Sequence, residues 1–411
     1  MTERKKLKIG LIGFGCVGYG LYRVLEQTPG LNAEIKNICV KNKQKQRPIP
    51  IDKFTFNVDD LLNDPEINLI VELIDDAKEA FRITKKALQN GKPVVSANKK
   101  MIAENFRELL QLQTEFGAQL LYEAAACASI PIIRNLEEYY DNDTLKSIKG
   151  IVNGSTNFIL CKAQEFNWSF DEALSLAQEL GYAESDPSLD VDGHDAAYKL
   201  QILSAHAFGQ IINKEDLFTI GISKIGEPEI AYAREKGLKL KLVAHAGRLN
   251  DGSIYALVAP RFVNIESDLY RIEDAYNGVQ TETFFADKQF FSGKGAGDFP
   301  TASAVLSDIS ALSYDYRYEY KKLNREDIIG VNKNVEADVY LRVIPALQSE
   351  AANAFKKIRE TYASEGHAYI TGTISLTNLE AFLLLYPEAV AVFNDKQLVY
   401  ETILEETFIG A

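Results

Sequence analysis

The segment Leu7–Gly18, LKIGLIGFGCVG, joins a short apolar run to three closely spaced glycines. Apolar side chains then recur at helical spacing, as at Leu21 and Val24. This order of strand, G-x-G-x-x-G and helix predicts a dinucleotide-binding turn. The glycines let the backbone approach a pyrophosphate at the helix N-terminus. Glycine-rich turns are also common without a ligand. The predicted cofactor contacts here are Gly13, Phe14, Gly15, Cys16, Val17 and Gly18.

The second predicted strand, Ala33–Val40, ends without the acidic residue that commonly binds the ribose of NAD. Four basic residues follow it instead: Lys41, Lys43, Lys45 and Arg47. Cations at this position favour the 2′-phosphate of NADP, with Lys41 as the predicted contact, and leave NAD as the alternative. A solvated basic loop without a ligand is the other interpretation.

Strand and helix patterns alternate as far as residue 145, with further strands predicted over Asn68–Ile74, Lys92–Ala97 and Gln119–Ala124 and a helix over Glu79–Gln89. This alternation predicts an α/β domain, 1–145, with a Rossmann-type doubly wound parallel sheet. Lys99 follows one of these strands, at the carboxyl edge where such sheets bind ligands.

Residues 146–330 predict a second, mixed α/β domain with a role in subunit contact. A strand over Lys146–Val152 leads into the polar turn NGSTN, with a helix from Phe158. Lys239–Arg248 and Ser253–Pro260 alternate like paired strands around an Asp-Gly turn. Thr283–Phe291 predicts one further strand.

The stretch Gly181–Leu203 places several acids ahead of a single lysine, Lys199. The acids are Glu184, Asp186, Asp190, Asp192 and Asp195. Spacing alone is explained by an acidic first helical turn and one i,i+4 ion pair. A redox active site is the functional alternative, because the glycine turn and the lysine at a strand end, Lys99, occur in the same chain. Glycines at 293, 295 and 297 precede a small-residue helix, which predicts either a tight crossover or a close approach to a ligand.

Composition limits the class of protein. The 411 residues carry a net charge of −13, which argues against a nucleic-acid or anionic-membrane surface. Four scattered cysteines form no CxxC pair, so neither a disulfide framework nor a zinc site is predicted. The charged start MTERKKLKIG lacks the apolar region of a signal peptide, and no apolar run is long enough to span a bilayer. We therefore expect a cytoplasmic protein without membrane or nucleic-acid partners.

Six segments together resemble homoserine dehydrogenase, in the order of that family. They are GFGCVG at 13–18, VVSANK at 94–99, YEAAACASIPII at 122–133, GIVNGSTNFIL at 150–160, GYAESDPSLDVDGHDAAYKL at 181–200 and GAGDFPTASAVLSDI at 295–309. The resemblance implies reversible NAD(P)H-dependent reduction of L-aspartate 4-semialdehyde to L-homoserine, in threonine, methionine and isoleucine biosynthesis. It also implies a homodimer or a higher homo-oligomer.

The resemblance further implies a role for individual residues. Lys199 matches an acid/base lysine at the substrate oxygen, and Lys99 matches a lysine between nicotinamide and substrate. The implied substrate-binding residues are Glu184, Asp190, Asp195 and Ser155. Gly297 matches a glycine that contacts the cofactor. A monovalent cation such as Na⁺ is implied at Glu123 and the carbonyls of Ala126, Ala128 and Ile130.

Two segments depart from the family pattern. Asp75-Asp76 stands where small residues are usual, and two carboxylates beside a dinucleotide phosphate are unfavourable unless they point to solvent. In AAACASIP, Cys127 and Ser129 add side chains to a motif that is usually glycine-rich, which narrows the predicted nicotinamide pocket.

Residues 331–411 predict a divergent ACT-like α+β domain. Its predicted elements are strand Asp338–Val343, helix Ser349–Thr361, strand His367–Ser375, helix Leu376–Tyr386 and strand Ala389–Phe393. The loop after the first strand, Ile344–Leu347, has no glycine of the kind that holds an amino acid in such domains. Feedback regulation and a purely structural or dimer-forming role are both open.

Two alternatives come from other functional classes. A catalytically weakened homologue could bind NADP or an amino acid as a regulator, but two placed lysines favour an enzyme. Cys127 could serve as the nucleophile of an acylating aldehyde dehydrogenase. No partner histidine follows it suitably, so a buried apolar cysteine is the favoured interpretation.

Overall fold

The computed structural model describes residues 6–141, 145–324 and 330–398. The chain divides into two compact units, Met1–Asp141 with Gly293–Lys321, and Asn142–Ser292 with Lys322–Ala411. The residues after 331 thus fall in the second unit, and the end of the predicted domain 331–411, residues 399–411, lies outside the described residues. No described helix is both long enough and apolar enough to cross a membrane.

Helices and strands are distributed over the chain as follows. The strands are β1 (Leu7–Ile12), β2 (Ala33–Cys39), β3 (Phe54–Thr55), β4 (Leu69–Glu72), β5 (Val94–Ser96), β6 (Leu120–Leu121), β7 (Leu145–Ile151), β8 (Phe218–Thr219), β9 (Lys239–Arg248), β10 (Ile254–Val263), β11 (Tyr276–Thr283), β12 (Lys288–Lys294), β13 (Glu336–Val343), β14 (Lys357–Ala363), β15 (Ala368–Ser375) and β16 (Val390–Leu398). The helices are α1 (Cys16–Glu26), α2 (Asp59–Leu62), α3 (Ala77–Gln89), α4 (Lys99–Glu104), α5 (Phe106–Phe116), α6 (Ala124–Cys127), α7 (Ile132–Glu137), α8 (Gly154–Phe166), α9 (Phe170–Glu179), α10 (Ser188–Val191), α11 (His194–Phe208), α12 (Glu227–Glu235), α13 (Asp298–Leu312), α14 (Gln348–Ala354) and α15 (Leu376–Leu385).

The first unit contains a six-stranded sheet in the order β3-β2-β1-β4-β5-β6, and its pairings are parallel. All four residues of β4 are buried, as expected for a strand covered on both faces. The strand order reverses between β1 and β4, so the crevice at their carboxyl ends is the expected ligand site. The predicted doubly wound parallel sheet is confirmed.

Helix α13 returns to the first unit and packs against α1. A Cβ atom on Gly20 would lie 2.9 Å from the backbone oxygen of Asp298, so only a residue without a side chain permits this approach. The small-residue helix after Gly297 therefore makes the close backbone contact that its composition predicts.

The second unit contains a mixed sheet in the order β12-β11-β7-β9-β10-β16-β13-β15-β14, with β8 paired to β10. β9 and β10 form the predicted antiparallel hairpin, with Leu257 opposite His245 at its middle. The β10 strand extends three residues beyond the predicted Pro260, to Val263, and all of its residues are buried. The predicted mixed sheet is thus confirmed.

Two predicted elements of this unit are wrong. Thr283–Phe291 is not one strand, because Asp287 adopts a positive φ of 56° and accepts a hydrogen bond from the Thr283 amide, which closes a turn between β11 and β12. The predicted helix Ser349–Thr361 stops at Ala354, and β14 follows it. Pairing of β14 with β15 overrides the local helical pattern there.

The tail therefore has the order β13-α14-β14-β15-α15-β16. Its sheet order is β16-β13-β15-β14 with antiparallel pairing throughout, which is the topology of the split β-α-β α+β fold. Val339, Leu341 and Ile370 on the strands pack with Leu379 of α15 in one apolar core. The predicted order of strands and helices lacked one strand, β14.

Helix α8 also begins earlier than predicted, at Gly154 rather than Phe158. The Asn153 side chain accepts a hydrogen bond from the Thr156 amide and so caps the helix. The NGSTN turn is therefore the cap and first turn of a helix.

The segment before α11 is enclosed by backbone. A Cβ atom on Gly221 would lie 2.2 Å from the Val191 carbonyl oxygen and 2.4 Å from the Asp192 Cα. The Ile222 amide also donates to the Val191 carbonyl at 2.6 Å. The Gly221–Ile222 backbone is thus packed directly against the residues that precede α11.

We expect Gly221→Ala to lower the free energy of unfolding by about 1–3 kcal/mol, because backbone atoms cannot move aside as a flexible side chain can. Urea unfolding of the full chain measures this loss. Gly366→Ala is the matched control, since no atom lies within 4 Å of its added Cβ and its φ is not positive. Equal stability of the two variants would contradict the packing described here.

Candidate functional site

The glycine turn after β1 has one side closed by the protein and one side open. Gly13 has a φ of 96°, and a Cβ on it would lie 2.5 Å from the Leu73 carbonyl oxygen. A Cβ on Gly18 would lie 2.4 Å from the Gly13 carbonyl oxygen. A Cβ on Gly15, by contrast, would meet no atom of the other described residues within 4 Å, and Gly15 and Cys16 are exposed. The start of α1 is thus exposed, as the predicted phosphate contact requires.

The basic loop after β2 is held in shape by its own contacts. Arg47 donates to the backbone carbonyls of Lys45 and Asn42, both at 2.7 Å. Its guanidinium lies 5.1 Å from the centre of the Phe54 ring, which in turn contacts the Phe14 ring edge-on at 5.2 Å. The loop is therefore connected to the glycine turn through two aromatic rings, and Lys41 lies exposed at its start.

Asp75 and Asp76 are both exposed. The Asp76 carboxylate accepts hydrogen bonds from the amides of Lys78 and Glu79, each at 3.1 Å, and so caps α3. The unusual acidic pair thus points to solvent, and one member stabilises a helix.

Lys99 is the first residue of α4, at the carboxyl end of β5. Asn98 caps that helix by accepting a hydrogen bond from the Met101 amide at 2.9 Å, and its side-chain NH₂ donates to the Ile74 carbonyl at 2.9 Å. Loops after two neighbouring strands therefore set the position of the Lys99 backbone. The Lys99 side chain is partly buried.

Glu123 lies in the interior of the first unit, 2% exposed. Its carboxylate accepts hydrogen bonds from the amides of Ile133 and Arg134 at 2.8 and 2.9 Å, while burial and the neighbouring Asp308 raise its pKa to about 7. Between Glu123 and Ile133, Ala128 adopts a φ of 44°, a conformation that costs a residue with a side chain about 1–3 kcal/mol. This turn carries the backbone of Ala126, Ala128 and Ile130.

The two side chains added to that turn differ in exposure. Cys127 is fully buried, as a small apolar residue would be. Ser129 is exposed and donates to the Lys294 carbonyl at 2.9 Å. It thus connects the turn to the segment before Gly297, whose φ is 118°.

In the second unit, hydrogen bonds connect three predicted site residues, Lys199, Asp195 and Asp190, with one neighbour, Asn153. The Lys199 ammonium lies 2.7 Å from Asp195 Oδ2 and donates to the Val152 carbonyl at 2.6 Å. The Asn153 NH₂ group donates to Asp190 Oδ1 at 2.7 Å and to Asp195 Oδ2 at 2.9 Å. Asp195 and Lys199 are 2% and 7% exposed, so the pair is shielded from water.

The remaining acids of the stretch Gly181–Leu203 are placed differently. Glu184 is exposed on the loop before α10. Ser155, in the first turn of α8, donates to the Tyr182 carbonyl at 2.5 Å and so contacts that same loop. Asp186 accepts a hydrogen bond from the Ser188 amide, and Asp192 one from the Ser223 hydroxyl. Asp186 thus serves a local turn, whereas Asp192 binds a residue that lies much later in the chain.

Asn153 is the residue that sequence reasoning missed. Its side chain caps α8 through Oδ1 and holds two carboxylates through its NH₂ group, so every hydrogen-bonding atom of the amide is engaged. A signal was available, since Asn before Gly-Ser-Thr is a typical helix cap. Its second task, however, depends on residues about 40 positions away.

Comparison with known proteins extends these observations to the whole chain. A family model described as "Homoserine dehydrogenase, NAD binding domain" matches residues 13–123, and one described as "Homoserine dehydrogenase" matches residues 131–310. The homoserine dehydrogenase of Bacillus subtilis (strain 168) is 32% identical over 380 residues, which cover 89% of this chain and 87% of that protein.

Solved structures agree with these matches. A homoserine dehydrogenase from Thiobacillus denitrificans has a TM-score of 0.83 at 29% identity, covering 95% of this chain and 98% of that one. A hyperthermophilic archaeal homoserine dehydrogenase mutant in complex with NADPH has a TM-score of 0.67 at 28% identity, covering 77% and 100%. With two family models and a full-length relative in agreement, the chain belongs to the homoserine dehydrogenase family of NAD(P)-dependent oxidoreductases.

Proposed function

We propose that this protein catalyses the reversible NAD(P)H-dependent reduction of L-aspartate 4-semialdehyde to L-homoserine. The observation that carries the proposal is the cluster of buried Lys199, Asp195 and Asn153 with the partly buried Asp190 in the second unit. An ion pair that only stabilised the surface would not need to be buried, and it would not need an asparagine amide that binds two carboxylates. An ammonium held by the Asp195 carboxylate and the Val152 carbonyl suits a group that must meet a reacting oxygen.

The chemistry assigns each group a task. Addition of hydride to an aldehyde builds negative charge on oxygen, which a positioned cation relieves. Lys199 is the proposed cation and proton donor at that oxygen, and NADPH supplies the hydride when bound. Lys99 is proposed to lie between nicotinamide and substrate. The proposed partners of the substrate's other polar groups are Glu184, Asp190, Asp195 and Ser155.

The alternatives have no support from the comparisons or the geometry. A regulator without turnover would not require a buried lysine that shares a carboxylate with an asparagine. Cys127 is 0% exposed, so its thiol is closed off from a substrate aldehyde. The weakened homologue and the acylating dehydrogenase are therefore set aside.

We further propose NADP as the preferred cofactor. The glycine turn would hold the pyrophosphate through Gly13, Phe14, Gly15, Cys16, Val17 and Gly18, with Gly297 as an additional contact. The exposed Lys41 stands at the start of a loop that is already ordered by Arg47. A preformed loop pays less entropy to bind a 2′-phosphate than a mobile one.

A monovalent cation such as Na⁺ is proposed at Glu123 with the carbonyls of Ala126, Ala128 and Ile130. Oxygen donors of this kind suit a hard cation. Each Glu123 oxygen accepts one hydrogen bond in the fold, and a carboxylate offers about four lone-pair sites in all. The remaining acceptor capacity of Glu123 supports this proposal.

For the whole chain we propose three functional regions: a cofactor domain 1–145 completed by the helix near 298–313, a catalytic and dimerisation domain 146–330, and an ACT-like domain 331–411. The β-α-β-β-α-β order of the tail supports the last of these. A homodimer or higher homo-oligomer in the cytoplasm is the proposed working form.

Lys199→Ala should lower kcat for homoserine oxidation by about 10²-fold or more, the contribution of a positioned proton-transfer group. An assay with NADP or NAD at alkaline pH measures it. Lys214→Ala, at an exposed lysine of the same unit, is the control and should leave kcat unchanged. Wild-type turnover in Lys199→Ala would rule out the assigned role.

Asn153→Ser should raise the KM for homoserine about tenfold, because the amide NH₂ group that binds both Asp190 and Asp195 is lost, while serine still caps α8. The thermal unfolding midpoint should change little. Asn213→Ser is the matched control, since Asn213 donates to the exposed carboxylate of Asp216 at 3.0 Å, on the surface. An unchanged KM in Asn153→Ser would mean that the amide does not orient the acids.

Lys41→Glu should weaken NADP about tenfold more than NAD, because a carboxylate repels the 2′-phosphate that a lysine would bind. Fluorescence titration with the two cofactors gives the ratio. Lys6→Glu is the control, because Lys6 precedes β1 at the opposite end of the strand. An equal effect on both cofactors would place the 2′-phosphate elsewhere.

A further inference from the structure

Glu72 is a buried acid that no assigned role explains. It is the last residue of β4 and is 0% exposed. One carboxylate oxygen accepts a hydrogen bond from the Ile74 amide at 2.7 Å, and the other accepts one from the Ser96 hydroxyl at 2.6 Å. Burial, together with the nearby Asp75, raises its pKa to about 7. Burying a carboxylate costs free energy, so a buried carboxylate with two specific hydrogen-bond partners is expected to have a role.

The bonds around Glu72 close into a ring. The Ser96 hydroxyl also accepts a hydrogen bond from the Asn98 amide at 3.1 Å. The Asn98 side chain in turn donates to the Ile74 carbonyl at 2.9 Å, and Ile74 is bound to Glu72 through its amide. The Glu72 ring, formed by Glu72, Ser96, Asn98 and Ile74, thus joins the loops that follow β4 and β5.

This ring lies at the carboxyl edge of the sheet, at the strand-order reversal. In the parallel register Glu72 is aligned with Ile12 of β1 on one side and Ser96 of β5 on the other. The next residues are Gly13, in the glycine turn, and Leu73, whose carbonyl oxygen lies where a Gly13 side chain would be. Any shift of the loop after β4 would therefore displace the glycine turn that is predicted to hold the cofactor.

The ring ends one residue before Lys99. Asn98 engages its backbone amide and both side-chain groups, through Ser96, Ile74 and the Met101 amide. With Asn98 fixed in this way, the Cα of Lys99 and the first turn of α4 have little freedom. A displacement of about 1 Å at a catalytic group can cost on the order of 10²-fold in rate.

We propose that Glu72 is a positioning residue that holds Lys99, and the loops after β4 and β5, in place through the Glu72 ring. The inference rests on the proposed role of Lys99 near the nicotinamide. Glu72 itself touches neither substrate nor cofactor in this scheme. It acts by fixing the backbone that carries the lysine.

A double-mutant cycle tests the proposal in the full-length enzyme. Glu72→Gln keeps the shape of the side chain but cannot accept on both sides, so kcat should fall about tenfold in the wild-type background. In a Lys99→Ala background the same substitution should leave the residual turnover unchanged, because there is no lysine left to position. If Lys99→Ala is too slow to assay, Lys99→Arg takes its place. In that background Glu72→Gln should lower kcat by less than the tenfold expected in wild type.

A second variant guards against misfolding of the first. Ser96→Ala breaks the same ring from β5 and should lower kcat to a similar extent, and the double variant Glu72→Gln/Ser96→Ala should be no slower than the slower single variant. Glu79→Gln, at an acid of the same unit that pairs with Arg82 at the surface, should keep wild-type kcat.

The outcomes separate the inference from the assigned function. Equal fractional losses of kcat in the wild-type and Lys99 backgrounds, or no loss at all in Glu72→Gln and Ser96→Ala, would overturn the inference while leaving the role of Lys99 intact. Wild-type turnover in Lys99→Ala alone would overturn both, and that result is seen without any change at Glu72.

Discussion

The ion pair between Lys199 and Asp195 is the interaction on which the proposed substrate site depends. Burying two charges costs several kcal/mol per ion, and their attraction offsets this only when further hydrogen bonds satisfy both groups. Here the Val152 carbonyl serves the ammonium and the Asn153 amide serves the carboxylate. The end of β7, the cap of α8 and the helix α11 must therefore all be in place before the lysine has its position.

In the first unit the buried charged group is a carboxylate, and it too must be satisfied by hydrogen bonds. Glu72 is buried without a cation among the partners that set its pKa, and its two oxygens are satisfied by a backbone amide and a hydroxyl. In both units a buried charged group is bound by backbone that directly follows a strand, Val152 after β7 and Ile74 after β4. Loops that carry chemistry become rigid in this way without large apolar side chains of their own.

Much of the fold was predictable because it is encoded locally. The apolar runs of β1 and β4, the glycine turn and the hairpin of β9 and β10 each carry a periodicity or a turn signal of their own. Of the two misses, one is decided by a strand outside the mispredicted segment and the other by a turn inside it. β14 forms because β15 lies beside it, and a helical pattern over Ser349–Thr361 carries no trace of that neighbour. The turn near Asp287 was hidden by the adjacent aromatic residues Phe284 and Phe285, which resemble a strand.

By itself, the sequence determined the residue types, their order and the spacing of six family segments, and hence the family and the predicted residues. Only the tertiary structure decided which acids of Gly181–Leu203 join Lys199. Asp195 and Asp190 share the amide of Asn153, whereas Asp186 accepts from the Ser188 amide in its own turn and Asp192 accepts from the distant Ser223 hydroxyl. The five carboxylates are chemically alike, and what separates them is the direction each faces once α8 and α11 have packed, a property that no local pattern contains.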